Sequence, residues 1–104
     1  MEQEQRKRIE KMENSFNEMS KELQNLETAL DQWTDKMSLC DDIVKYYTGE
    51  EWRIDIEASN QEDFPTPQEL PHGVLAEDTI FNEMIRHREI AIELLKVATK
   101  MLEV

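Results

Sequence analysis

Turn-formers and cross-links are scarce in this sequence: among 104 residues there are two Gly, three Pro and one Cys. Few Gly and Pro mean few turns, and the abundant Leu, Met, Glu, Gln, Lys and Ala lose little rotamer freedom in a helix, so the expected class is all-α. A lone Cys40 cannot form an internal disulfide, which fits a reducing compartment. No apolar run approaches the roughly 18 residues of a membrane span, and the charged N-terminus lacks the apolar segment of a signal peptide. The expectation is a cytoplasmic chain with no membrane contact. Clustered Lys and Arg are also missing outside Arg6-Lys7-Arg8, which disfavours direct nucleic acid binding because phosphate contacts depend on such clusters.

Acidic charge is plentiful. The formal charge of −12 divides unevenly: residues 1–37 carry six basic and nine acidic groups, residues 38–85 two and twelve, and residues 86–104 four and three. The acidity therefore sits in the middle of the chain. With 38% hydrophobic residues the chain can build one modest core, and its length leaves room for a single helical domain, 1–104.

Apolar periodicity carries the architecture. From Ile9 the pattern runs through Met12, Phe16, Met19, Leu23, Leu26, Leu30, Trp33, Met37, Cys40, Val44 and Tyr47, in steps that alternate three and four. Such an a/d seam keeps one narrow stripe against a partner helix and predicts a long helix over about 4–48, with its seam buried. Ser38 followed by Asp41 offers a competing N-cap inside it. Gly49 suits a left-handed helix end, and Thr48 with Glu51 has capping-box spacing for a short helix over about 50–58. All three prolines fall in the loop 59–76, where Phe64 and Leu70 are the expected anchors. A last helix over about 77–103 has an apolar face widened by Ile80, Ile85, Ile92, Leu94 and Met101. The simplest assembly packs the long N-terminal helix antiparallel on the C-terminal helix, with the short helix and Pro-rich loop at the turn.

Chemistry-bearing groups are sparse and dispersed. Cys40 lies in the apolar seam, where burial disfavours the thiolate. His72 and His87 have no second His or Cys at metal-ligand spacing. Asp55 to Asp63 alternates oxygen ligands as a calcium loop does, yet Asn60 stands at the sixth position instead of Gly, and Thr66 at the twelfth cannot supply a bidentate carboxylate. No nucleotide-binding Gly-rich turn occurs. The reading assigns no catalytic, cofactor-binding or metal-binding residue, no cofactor and no small-molecule substrate.

Two stretches carry a family likeness: Tyr46-Tyr47-Thr48-Gly49-Glu50-Glu51-Trp52-Arg53-Ile54-Asp55 and Gly73-Val74-Leu75-Ala76-Glu77-Asp78. They resemble the Tyr-Tyr-x-x-x-Glu-Trp-x-x-Asp and Gly-Val-Leu-Ser-Glu-Asp elements of a family of small acidic helical bacterial domains of unknown function. Ala76 replaces the Ser of that pattern, and with it a side-chain cap for the last helix. The resemblance implies a helical fold and a bacterial or phage origin, and no reaction.

The function expected from these features is a non-enzymatic protein-interaction domain. The candidate surfaces are the N-terminal stripe of Ile9, Met12 and Phe16, and an aromatic and acidic corner of Tyr46, Tyr47, Glu50, Glu51, Trp52, Asp55, Glu77 and Asp78. At 1.5 Å per residue the last helix covers only about two-thirds of the first, which leaves the N-terminal stripe for a protein partner, including a second copy joined as a homodimer. The alternative is an acidic nucleic-acid mimic of the anti-restriction or anti-CRISPR type, inhibiting a DNA-binding protein by occupying its basic groove.

Overall fold

The computed structural model describes all 104 residues, Met1–Val104. The chain is all-α, with the order α1 (Gln3–Lys36), α2 (Ser38–Tyr47), α3 (Glu50–Ser59), a 3₁₀ turn (Gly73–Leu75) and α4 (Thr79–Leu102). Its backbone groups into two compact units, Met1–Cys40 and Asp41–Val104.

The first unit is essentially α1. No Gly or Pro interrupts residues 3–36, Glu4 sits in the positive first turn and Lys36 in the negative last turn. Thr28 and Thr34, less favourable in a helix interior, turn their hydroxyls back to the carbonyls of Gln24 and Leu30 at 3.0 and 2.8 Å. The long N-terminal helix continues through residue 47, interrupted only at Met37 between α1 and α2. At Met37 the ladder tightens by one step: its amide bonds Thr34 O at 3.5 Å, and the Cys40 amide bonds Met37 O at 3.0 Å. Met37 keeps right-handed helical dihedrals, φ −58° and ψ −29°. The seam does not have the burial expected of it. Phe16 is 58% exposed, Met19 53%, Leu23 43% and Leu26, the least exposed from Ile9 to Leu30, still 38%. A heptad pattern fixes which side chains share a stripe, and leaves open what covers it.

In the second unit the interior is small. Only Ile80, at 3% exposure, is buried outright. Around it α3 and α4 both pack against the 3₁₀ turn, and Tyr46, Tyr47, Trp52, Ile56, Phe64, Leu75 and Met84 are half-buried. Phe64 anchors the loop as expected, whereas Leu70 is exposed at 48%. A single turn stiffens the Pro65-Thr66-Pro67 segment: the Leu70 amide reaches Thr66 O at 2.9 Å, and the Glu69 amide reaches the Thr66 hydroxyl at 3.4 Å.

Helix ends depart from three sequence expectations. Thr48 does not cap α3; its hydroxyl donates to Val44 O at 2.7 Å and closes α2. Gly49 takes that N-cap place with extended backbone, φ −95° and ψ 178°, and no residue has positive φ. What holds glycine at 49 is close approach, since a Cβ there would lie 3.1 Å from Lys45 O and 3.6 Å from Tyr46 O. Ala76 is the C-cap of the 3₁₀ turn. The cap of α4 is Asp78, two residues later, and its side chain makes no capping bond. The Ser-to-Ala departure thus falls on a residue that does not cap the helix.

The two glycines are expected to respond oppositely to alanine. At Gly73 nothing lies within 4 Å of an added Cβ, so Gly73→Ala gains the roughly 0.5 kcal/mol that comes from restricting the unfolded chain. Gly49→Ala loses about 1 kcal/mol, because backbone oxygens must give way. Urea unfolding of both variants measures the difference in sign.

Candidate functional site

The corner between α2 and α3 is built by a reversal of only two residues, Thr48-Gly49, which brings the end of one helix back over the start of the next. Tyr46, one residue before the end of α2, thereby meets Asp55 in the middle of α3: its hydroxyl donates to Asp55 Oδ2 at 2.5 Å. Tyr47 meets Trp52 edge to face, with ring centroids 4.7 Å apart and planes at 67°, a geometry that sets a positive ring edge against a negative ring face.

Trp52 ties this corner to the second sequence element. Its indole Nε1–H donates to Val74 O at 3.0 Å across 22 residues, so the two stretches that carry the family likeness touch through one hydrogen bond. Further along the loop, Phe64 and His72 stack edge to face at 5.0 Å and 71°. His72, which has no metal-ligand partner in the sequence, packs against the loop's aromatic ring. It is half-buried, and lines a surface depression with Ser59, Pro67, Gly73, Leu75 and Ala76. The available signal was its place between Pro71 and Gly73, where a turn sets a ring back toward the loop's own aromatic.

Of the expected corner residues, the structure joins Tyr46 to Asp55 and Tyr47 to Trp52. Glu50 and Glu51 form the exposed first turn of α3, where their charges suit the positive end of the helix dipole. Glu77 and Asp78 lie exposed in the lead into α4, and the aromatic tips reach Asp55 and Val74 O instead of them. Ile9, Met12 and Phe16 lie on α1 in the other unit, exposed at 49%, 53% and 58%.

Electrostatics at the corner favour a held proton. The hydrogen bond to Asp55, then desolvation, then the charges of Asp55 and Glu51 push the Tyr46 hydroxyl up from 10.0 to about 12. A phenol shifted this way remains a donor at neutral pH, and the shift runs opposite to that required of a general base. Cys40 is a free, half-buried thiol. No group of three or more His, Cys, Asp or Glu side chains is placed to hold a metal ion, and no helix is long and apolar enough to cross a membrane.

Residues 9–97 match the family described as a domain of unknown function, DUF4298, and the chain belongs to that family. The match spans most of α1 through most of α4, and so includes both the seam and the corner. No curated protein and no solved structure matches the chain.

Two variants test the corner. Trp52→Ala removes a ring contact and the bond to Val74 O, and is expected to cost about 2 kcal/mol, with faster amide exchange through the 59–73 loop and the 3₁₀ turn. Tyr46→Phe is expected to cost about 1 kcal/mol at neutral pH. Because the folded-state value lies above the ordinary one, the stability from the Tyr46 bond is complete below pH 10 and is lost as pH rises toward 12. Urea titrations of both proteins across that range should show this alkaline loss in the native chain and a smaller one in Tyr46→Phe.

Proposed function

We propose that this member of the DUF4298 family is a non-enzymatic protein-interaction domain whose binding surface is the apolar stripe of α1. The observation that carries the reading is the exposure of the whole row from Ile9 to Leu30, none of it below 38%. Scattered exposed apolar residues are ordinary on a protein surface. A continuous stripe of large ones along a single helix is a different matter, because each Å² left in water costs about 25 cal/mol and contiguous patches of this kind mark interaction sites.

The distribution of polar groups agrees with this. The corner's tyrosine and tryptophan polar atoms are engaged in holding α2, α3 and the 3₁₀ turn together. Apart from Asp55, its acidic residues stay in solvent, where they influence encounter with a charged partner more than they add affinity. The corner therefore serves as the joint, and the seam as the surface.

Capture from a bacterial lysate on the immobilised chain tests the assignment at ~0.1 M and ~1 M salt, between which the Debye length falls from about 10 Å to about 3 Å. Binding through the seam persists at high salt and disappears in a Phe16→Asp, Leu23→Asp variant that keeps its helical circular dichroism. Capture that vanishes at high salt and ignores the variant assigns binding to the acidic middle, as a nucleic-acid mimic requires, and overturns the seam reading.

A further inference from the structure

We infer that the occupant of the α1 stripe is a second copy of the same stripe, laid antiparallel, with Leu23 of one chain opposite Leu26 of the other. The inference rests on the seam being an interaction surface, and adds the identity, direction and register of what covers it.

Area favours a partner of matching length. The seam side chains stand 38–58% exposed between Ile9 and Leu30, a continuous row of large apolar groups, and a stable interface covers about 800 Å² per partner. A second α1 presents the same narrow stripe over the same length.

Direction follows from the residues on and beside the stripe. Setting Ile9 at position a places Phe16, Leu23 and Leu30 at a, and Met19 and Leu26 at d. Parallel pairs prefer β-branched residues at a and Leu at d; beyond Ile9, the a positions of α1 hold no β-branched residue. In parallel alignment Arg8 gains Glu13 near one end, but Glu22 is held beside Glu27 of the second copy in the middle, twice by symmetry. Sliding by a heptad relieves that opposition only by abandoning the two-fold symmetry of the pair and leaving a heptad of each stripe uncovered. Antiparallel helices also set opposite dipole ends together.

Register follows from the flanks and from coverage. With Leu23 opposite Met19 of the second copy, Arg8 faces Lys36, Glu13 faces Glu27, and Glu22 faces its own symmetry mate. One heptad further, Leu23 meets Leu26 and Met19 meets Leu30. Glu22 then faces Ala29, Ser15 faces Lys36, and Glu13 faces Thr34, with no like charges opposed. This register also covers the seam of the first unit end to end, setting Met12 opposite Met37 and Ile9 opposite Cys40. The heptad shift in the other direction sets Leu30 against Gln5 and leaves part of the stripe uncovered.

The test combines mass and cross-linking on the full chain. Sedimentation equilibrium of the native protein at micromolar concentration is expected to give a dimer. Met19→Cys and Leu30→Cys are then made separately, each with Cys40→Ala, and oxidised alone and as an equal mixture. The antiparallel register brings residue 19 of one chain to residue 30 of the other, so the mixture forms an interchain disulfide and neither variant alone does. Self-linkage of Met19→Cys alone overturns the direction, and a sedimenting dimer without the mixed disulfide overturns the register. A native chain that sediments as a monomer overturns self-pairing; salt-resistant, Phe16-dependent capture of a different protein would then still support the seam as a surface, and its absence would remove that too.

Discussion

An amphipathic helix depends on having its apolar stripe covered, and that single requirement governs this chain. The backbone bonds of α1 replace bonds to water and add little net stability each, while the ordering of 34 residues costs conformational entropy at every one. Helix propensity and i,i+4 pairs such as Arg6–Glu10, exposed at both ends, offset only a small part of this. In the single chain the seam, 38–58% exposed from Ile9 to Leu30, returns only part of the remainder, and the pairing proposed above would supply more. The absence of Gly and Pro from α1 and a three-four rhythm that runs past the tightened step at Met37 both preserve one continuous stripe.

The second unit solves a different problem, holding short elements together with almost no interior. With Ile80 alone buried, the unit relies on half-buried aromatic rings, which combine apolar area with a hydrogen-bonding tip or a directed edge. Tyr46 locks α2 to α3 through Asp55, Trp52 locks α3 to the 3₁₀ turn through Val74 O, and Phe64 with His72 closes the loop on itself. Leucine or isoleucine at these places would contribute area without direction. The tight reversal at Gly49 makes the first lock possible, since it brings Tyr46, near the end of α2, into bonding distance of Asp55, nine residues on in the middle of α3.

Charge acts on a longer scale than either. The twelve acidic groups of residues 38–85 are set against two basic ones, so most of that charge meets water and counterions instead of partners in the chain. It repels like-charged surfaces, an effect that weakens as salt shortens the Debye length. At the corner the same charge has a local consequence: Asp55 and Glu51 help to keep the Tyr46 proton in place.

The sequence by itself determined the class and the placement of elements, because helix propensity and apolar period are local properties that neighbours along the chain largely fix. The short helix starting at residue 50 and the loop carrying all three prolines were legible from residue types alone. Helix caps were less so. Thr48 and Asp78 could each bond in several local ways, and the choice depended on how closely Gly49 let the backbone pass and where the 3₁₀ turn at Gly73–Leu75 ended. Burial was decided only by tertiary structure. The spacing of Phe16, Met19, Leu23 and Leu26 says that they share a face, but exposure depends on what surrounds that face, and in this chain those side chains meet solvent. The same holds for Val74 O and for the ring of His72, whose partners lie 22 and eight residues away, beyond the reach of any local pattern.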